Sequence, residues 1–273
     1  MGYAPRIGIF DSGIGGLTVA AAIRQALPAE RLLYFGDNAH VPYGERTAEE
    51  ILAFSTAITE ALLDKGCRSI VMACNTASSA ALKPLREQFP GIPFVGMEPA
   101  VKPAVEHTRT GVVGVLATQA TVKSKALAEV VERFATGVEV IQQACTGLAQ
   151  LIDEGHFDGP ELERLLHGWI DPMLARNIDA LVLGCTHYPL VRPLIEKIAG
   201  PGVRVIEPSA AIARRLAQLL EEQGLQAPTG AQGSLECWTS GKPERFHAVL
   251  DRLRLETGTV RQGLWEGGRL VLL

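Results

Sequence analysis

Short apolar runs alternate along the chain with longer segments in which apolar residues recur at helical spacing. Such runs, rich in valine, isoleucine and leucine, are typical of strands buried on both faces, and their alternation with helices predicts α/β domains with parallel sheets. The predicted strands are residues 6–10, 31–35, 69–73, 92–97, 111–116, 138–142, 179–184 and 203–206. The predicted helices include residues 17–27, 47–65, 78–88, 123–134, 161–175 and 190–198.

The strand pattern also repeats within the chain. Three early segments have similar later ones, at offsets of 106, 111 and 109 residues: 8–12 (GIFDS) and 114–118 (GVLAT), 70–76 (IVMACNT) and 181–187 (LVLGCTH), 95–99 (VGMEP) and 204–208 (RVIEP). Matches in the same order at nearly one offset predict two similar α/β domains, each with a central parallel sheet flanked by helices. We expect the first to comprise residues 1–100 and about 211–273, and the second residues 101–210. The strand-like segment 235–239 would return the tail to the first domain.

Composition and charge exclude several classes of function. The 273 residues carry 26 Lys and Arg against 30 Asp and Glu, a formal net charge of -4, so no basic surplus exists for a nucleic-acid backbone. No apolar run reaches the length of a membrane span, and the N-terminal residues lead directly into a strand-like segment without a secretory signal pattern. We therefore expect a cytoplasmic protein whose main partner is neither nucleic acid nor membrane. A small anionic substrate is compatible with this charge, and so is a homodimer.

The cysteines divide into two groups. The chain has five, at Cys67, Cys74, Cys145, Cys185 and Cys237, without any CxxC pair, which argues against a disulfide framework or a zinc knuckle. Cys74 and Cys185 occupy equivalent positions of the repeat, each directly after an apolar run and before a polar pair. Ligands of open parallel sheets bind at the carboxyl ends of the strands, and a helix N-terminus there stabilises a thiolate. The other three thiols are interpreted as buried core residues.

Two thiols facing each other across a domain cleft have a clear chemical use. One can remove a proton from a carbon centre while the other supplies a proton to the opposite face, which inverts the configuration without a metal or an organic cofactor. No P-loop or GxGxxG fingerprint occurs, so no nucleotide cofactor is expected. The glycine-rich segment 11–16 could bind a carboxylate or ammonium group, or form an ordinary tight turn. For the segment 40–44 the two interpretations are likewise a loop with a specific conformation for binding and an ordinary connecting loop.

Five segments together resemble the bacterial glutamate racemases of the aspartate/glutamate racemase superfamily. They are FDSGIGGLTV, YFGDNAHVPYG, MACNTASSA, GVLATQATVKS and LGCTHYPL, and the resemblance extends from about residue 5 to residue 240. The resemblance implies a cofactor-independent, metal-free racemase of L- and D-glutamate, with two α/β domains and an active site in the interdomain cleft. It also implies a role in supplying D-glutamate for peptidoglycan synthesis.

The resemblance assigns roles to particular residues. Cys74 and Cys185 would be the two acid/base groups, with Asp11 assisting the first, His187 assisting the second, and Asp37 in a supporting role. The residues implied in substrate binding are Asp11, Ser12, Tyr43, Gly44, Asn75, Thr76, Thr118, Thr121, Thr186 and His187.

One part of the chain departs from the family pattern. Where the family has a Pro-containing segment leading to a glutamate that interacts with the histidine, this chain reads TGLAQLIDE after Cys145. The partner of His187 is therefore either Asp153 or Glu154. For each of the two, the alternative interpretation is a solvent-exposed acid at the flank of a helix, without a role at the site.

Other functions stay open on the sequence. Within the same chemistry, the substrate could be aspartate or another amino acid, because cleft depth sets the accepted length. A different class would be a metal-dependent hydrolase or binding protein with Cys74, Cys185 and His187 as ligands. Inhibition of a partner protein such as a DNA gyrase, which some racemases of this family show, would need an N-terminal extension that we do not expect here.

Overall fold

A computed structural model of the chain describes residues 5–272. The chain divides into two compact units: unit 1 comprises Met1–Met97 and Ser209–Leu273, and unit 2 comprises Glu98–Pro208. The strands are β1 (Arg6–Asp11), β2 (Arg31–Gly36), β3 (Cys67–Met72), β4 (Phe94–Gly96), β5 (Val112–Ala117), β6 (Glu139–Ala144), β7 (Ala180–Gly184), β8 (Arg204–Ile206), β9 (Ser234–Thr239), β10 (Arg261–Glu266) and β11 (Arg269–Leu272). The helices are α1 (Leu17–Ala26), α2 (Ala48–Asp64), α3 (Asn75–Gln88), α4 (Val101–His107), α5 (Gln119–Val122), α6 (Lys125–Phe134), α7 (Leu148–Asp153), α8 (Pro160–Leu174), α9 (Arg192–Ala199), α10 (Ser209–Gln223) and α11 (Pro243–Leu253).

Unit 1 contains a seven-stranded sheet with the order β11-β10-β9-β2-β1-β3-β4. All neighbours pair in parallel except β10 and β11, which form an antiparallel hairpin. The tail strand expected at residues 235–239 is β9, which lies beside β2 with Leu33 opposite Glu236. The sequence pattern did not predict the hairpin, because β10 is largely solvent-exposed and mixes polar with apolar residues, while β11 is only four residues long.

Unit 2 contains a four-stranded parallel sheet with the order β6-β5-β7-β8. This order has the same form as β2-β1-β3-β4 in unit 1, so the sequence repeat corresponds to a repeated topology. The predicted strands are all present, with ends that differ by at most two residues. The predicted α/β class, with mainly parallel sheets flanked by helices, is confirmed.

Helix termini and apolar packing explain why these elements form. The helix α2 begins at a capping box, in which Thr47 Oγ1 accepts from the Glu50 N–H at 3.2 Å and the Glu50 carboxylate accepts from the Thr47 N–H at 2.9 Å. The helix packs its apolar face on the sheet of unit 1, where Ile58, Leu62 and Ile70 are fully buried. Within residues 5–272, no helix combines the length and the apolar character that a membrane crossing needs.

Replacing each of two glycines by alanine should change the free energy of unfolding in opposite directions. Gly168 lies in α8 with open space around a built Cβ, whereas a Cβ on Gly8 in β1 would lie 2.9 Å from Ile70 Cδ1 and 3.1 Å from Leu62 Cδ1. We expect Gly168→Ala to stabilise by about 0.5–1 kcal/mol through helix propensity, and Gly8→Ala to destabilise by about 1–3 kcal/mol through overpacking. Denaturant unfolding of both variants beside the unchanged chain measures this. Equal shifts of the same sign would contradict the packing described here.

Candidate active site

In unit 1, Cys74 lies between the end of β3 and the first turn of α3. It is the N-cap residue of that helix, and its Sγ accepts from the Ala77 N–H at 3.4 Å and lies 3.8 Å from Ser12 Oγ. Its side chain is buried, with 5% of the residue surface exposed. The unpaired N–H groups and the dipole of the helix N-terminus favour negative charge on this sulfur, so a thiolate is stabilised at this position.

Asp11 ends the neighbouring strand β1 and holds the glycine-rich turn that follows it. Its carboxylate is fully buried and accepts from the Gly16 N–H at 2.8 Å, while Tyr34 donates its hydroxyl to the Gly13 carbonyl at 2.7 Å. A Cβ on Gly16 would lie 2.6 Å from Asp11 Cβ, so this close approach requires glycine. The segment 11–16 is therefore a rigid turn packed under a buried carboxylate.

Asp37 and Tyr43 form a second buried pair at the carboxyl end of β2. Tyr43 donates its hydroxyl to Asp37 Oδ2 at 2.7 Å, and His40 Nδ1 lies 2.9 Å from the same oxygen. Burial raises the pKa of Tyr43 well above its usual range, and the charges of Asp37, Cys74 and Asp11 add to the effect. The Tyr43 hydroxyl therefore keeps its proton at neutral pH. Gly44 follows it in the short 3₁₀ turn Tyr43–Glu45 and is half-buried.

The first turn of α3 carries polar side chains that are buried. Asn75 and Thr76 are only 3% and 5% exposed. Neither the amide oxygen nor the amide nitrogen of Asn75 has a hydrogen-bond partner among the described residues. A buried amide without partners costs about 1–3 kcal/mol, so its presence beside Cys74 is best explained by a polar ligand that completes its hydrogen bonds.

In unit 2, Cys185 directly follows β7 and lies beside an imidazole–carboxylate pair. Its Sγ is 3.9 Å from His187 Nδ1, and His187 Nε2 is 3.2 Å from Asp153 Oδ1. All three residues are buried. Because the Asp153 carboxylate can only accept, the tautomer with hydrogen on Nε2 leaves the Nδ1 lone pair directed at the thiol. This arrangement can receive a proton from Cys185 and return it.

The structure distinguishes the two acids that the sequence left open. Asp153 at the end of α7 is buried against His187, whereas Glu154 is exposed and accepts from Gln150 Nε2 at 3.1 Å. Of the two alternatives that the sequence left open, Asp153 is therefore the acid in contact with His187, and Glu154 is not. Adjacent residues on a helix point about 100° apart, so only one of them can face the imidazole.

Three threonines lie close in sequence to the carboxyl ends of β5 and β7: Thr118 directly follows β5, Thr121 lies in α5, and Thr186 follows Cys185 after β7. Thr118 is the N-cap of α5, accepting from the Thr121 N–H at 3.3 Å and donating to Thr121 Oγ1 at 3.0 Å. Thr121 is fully buried, and Thr186 is 4% exposed beside Cys185. Because β5 and β7 are paired in parallel, their ends bring these hydroxyls to the same edge of the sheet as the thiol. Thr118 therefore has a structural function as the N-cap of α5.

The other three thiols are buried. Burial raises the pKa of Cys67 and of Cys237 to about 12. Burial also raises the pKa of Cys145, and Cys185 nearby adds to this effect. Cys145 follows β6 and so lies at the same edge of the unit 2 sheet as Cys185. The sequence predicts a core position for Cys145 and does not indicate this location. Within residues 5–272, no group of three or more His, Cys, Asp or Glu side chains is arranged to hold a metal ion.

Each unit thus places a buried thiol at the carboxyl end of a parallel strand beside other polar groups. This combination of fold and site is typical of α/β enzymes that bind their ligands at the carboxyl ends of parallel strands. The family model described as Asp/Glu/Hydantoin racemase matches residues 8–216. The chain belongs to this racemase family, and the resemblance found in the sequence is confirmed.

Individual relatives cover nearly the whole chain. A glutamate racemase of Roseiflexus sp. (strain RS-1) is 48% identical over 94% of this chain and 95% of its own length. The crystal structure of glutamate racemase from Francisella tularensis subsp. tularensis SCHU S4 in complex with D-glutamate aligns with a TM-score of 0.81 at 32% identity, covering 94% of this chain and 96% of that one. The Escherichia coli glutamate racemase, in complex with L-glutamate and the activator UDP-MurNAc-ala, aligns with a TM-score of 0.82 at 34% identity, covering 95% and 98%.

The thiols should differ in reactivity toward iodoacetamide at pH 8. With a pKa of about 12, Cys67 and Cys237 hold only about one part in ten thousand of thiolate at this pH, and the raised pKa of Cys145 has the same consequence. We expect Cys74 and Cys185 to be alkylated first, as measured by mass spectrometry of peptides after brief labelling. Faster labelling of Cys67 or Cys237 in the folded protein would contradict this assignment.

Proposed function

We propose that this chain is a glutamate racemase, which interconverts L-glutamate and D-glutamate by a two-base proton transfer without a cofactor. The observation that carries the proposal is the paired placement of Cys74 and Cys185, one in each unit at equivalent strand ends. Family membership and relatives that are glutamate racemases over nearly their whole length support the substrate. Two of the related structures hold D-glutamate and L-glutamate.

In the proposed reaction, one cysteine is a thiolate and the other a thiol. The thiolate removes the α-proton, the electron pair of the broken C–H bond remains on the α-carbon, and the thiol delivers its proton to the opposite face. The two sulfurs have then exchanged protonation states, so no net proton is gained or lost. By analogy with the family, Cys74 removes the proton from D-glutamate and Cys185 from L-glutamate.

The two sulfurs would be prepared for this exchange in different ways. At Cys74, the N-terminus of α3 stabilises the thiolate directly through the Ala77 N–H. At Cys185, His187 can hold the proton and is itself oriented by Asp153. A thiol is suited to both tasks because its usual pKa of about 8.5 lies within reach of neutrality.

The remaining polar groups would bind the amino acid. The Asn75 amide has both a donor and an acceptor without partners, which suits an α-carboxylate and an ammonium group. Ser12, Tyr43, Gly44 and Thr76 in unit 1, with Thr118, Thr121 and Thr186 in unit 2, complete the proposed binding set. Preorganised donors to the carboxylate stabilise the carbanion-like transition state. We place the activity in the cytoplasm, where it would supply D-glutamate for peptidoglycan synthesis.

The decisive experiment follows each enantiomer in deuterated water. We expect both to racemise with deuterium gained at the α-carbon, and Cys74→Ala or Cys185→Ala to reduce turnover in both directions by about a thousandfold or more, because inversion needs both a base and an acid. Circular dichroism and NMR measure the two signals. Cys237→Ala serves as the control, since its sulfur lies in the core and should leave kcat largely unchanged.

Two outcomes would change the assignment. Near-normal racemisation by Cys185→Ala, with loss of activity in Cys145→Ala, would refute the two-thiol mechanism. Equal kcat/KM for aspartate and glutamate would move the substrate to the neighbouring racemases, because a site built for the longer carboxylate leaves its pairing group unsatisfied with the shorter one.

Asp153 and Glu154 provide a matched pair of neighbouring acids. We expect Asp153→Asn to lower kcat/KM for both enantiomers by about tenfold to a hundredfold, because the amide no longer fixes the His187 tautomer. Glu154→Gln should stay within about twofold, since its side chain contacts Gln150 instead. The equilibrium constant between enantiomers is one, so the loss in kcat/KM must be equal in both directions. Initial rates over a range of each enantiomer test both statements.

A further inference from the structure

The carboxylate of Asp37 accepts hydrogen bonds on both oxygens, and the two sets of donors come from different parts of the chain. On Oδ2 the donors are Tyr43 and His40, which follow Asp37 closely in sequence. On Oδ1 they are Ser240 Oγ and Trp265 Nε1, each at 2.8 Å and more than two hundred residues away in sequence. The carboxylate is completely buried. Its orientation is therefore fixed jointly by the loop and by the C-terminal strands.

The bonds on one oxygen control the position of the other. The χ2 torsion of aspartate is broad, so a carboxylate held at Oδ2 alone can rotate and move that oxygen. Ser240 directly follows β9 and Trp265 lies in β10, and both strands belong to the same sheet as β2. These two side chains hold Oδ1. Because Oδ1 is held, Oδ2 keeps the position at which it accepts the hydrogen bond from the Tyr43 hydroxyl.

Trp265 is itself held by aromatic packing that does not depend on its N–H. Its ring lies edge-on to His40 at 4.8 Å and to Phe54 at 5.8 Å between centroids. His40 in turn stacks on Phe54 at 3.9 Å. A phenylalanine at position 265 keeps an aromatic ring in this packing but removes the hydrogen bond and part of the ring volume, so a second Trp→Phe variant is needed to control for the lost volume.

We propose that Trp265 is a positioning residue for the racemase reaction, acting through Asp37 on the Tyr43 hydroxyl, and that Ser240 shares this role. The inference rests on the proposed function, because Tyr43 is expected to contact the amino acid. Trp265 and Ser240 themselves need not touch the substrate. The C-terminal hairpin thereby becomes part of the substrate-binding apparatus of unit 1.

The first test compares two Trp→Phe variants. Trp238 also donates its indole N–H to a carboxylate, Glu236 Oε1 at 3.0 Å, and so provides the matched control. We expect Trp265→Phe to raise KM for both enantiomers about fivefold with kcat within about twofold, which is the signature of lost uniform binding. Trp238→Phe should leave KM unchanged even where it lowers the melting temperature.

The second test asks whether the effect passes through Tyr43. In a Tyr43→Phe background, Trp265→Phe should change KM by less than about twofold, because the hydroxyl that it positions is already absent. Ser240→Ala should raise KM, and Ser240→Thr should restore it, since threonine keeps the hydroxyl.

The outcomes separate this inference from the proposed function. Racemisation of glutamate by the unchanged chain, with KM unaffected by Trp265→Phe, would overturn the positioning role alone. A fivefold effect that persists in the Tyr43→Phe background, or that Trp238→Phe reproduces, would also overturn it. Absence of racemisation by the unchanged chain would overturn the proposed function, and this inference with it.

Discussion

Burial of the central strands on both faces is the constraint from which the site follows. The strand β1 is hydrogen-bonded to β2 and β3, and β5 to β6 and β7, so neither has an open edge or an open face. Polar side chains within such strands would lose water without gaining partners. Polar side chains such as Asp11, Cys74 and Cys185 therefore lie at the carboxyl ends of the strands. Parallel register then aligns these ends, with Asp11 opposite Gly36 and Ala117 opposite Gly184.

The same constraint explains why so much could be predicted from the sequence. Strands buried on both faces are continuous apolar runs, and their ends are visible as the first polar residues that follow. The repeat then distinguished Cys74 and Cys185 from thiols at unrelated positions. The topology shared by the two sheets gives this repeat a physical basis, because equivalent strand ends receive equivalent surroundings.

The remainder depends on contacts that a linear pattern does not contain. Asp153 and Glu154 are adjacent, and only the rotation of α7 determines which one faces His187. Trp265 reaches Asp37 across most of the chain length. The hairpin that carries Trp265 did leave a local signal, since Gly267 and Gly268 both have positive φ, at 56° and 81°, as a tight turn between antiparallel strands requires. Such a turn is not part of any apolar run, so the pattern of apolar residues does not indicate it.

The two units differ where their repeated topology ends, and this difference gives Cys74 and Cys185 different surroundings. After Cys74 the helix α3 begins at once, so its N-terminal N–H groups reach the sulfur. After Cys185 the chain forms a 3₁₀ turn, Tyr188–Val191, and α9 begins only at Arg192. The stabilisation by a helix N-terminus falls off within one turn, so α9 cannot provide it for Cys185. Beside Cys185 there is instead His187, which is buried in contact with Asp153. Cys74 thus lies at a fixed helix dipole, whereas Cys185 lies beside a side chain that can exchange a proton, although both cysteines follow equivalent strands of the repeated topology.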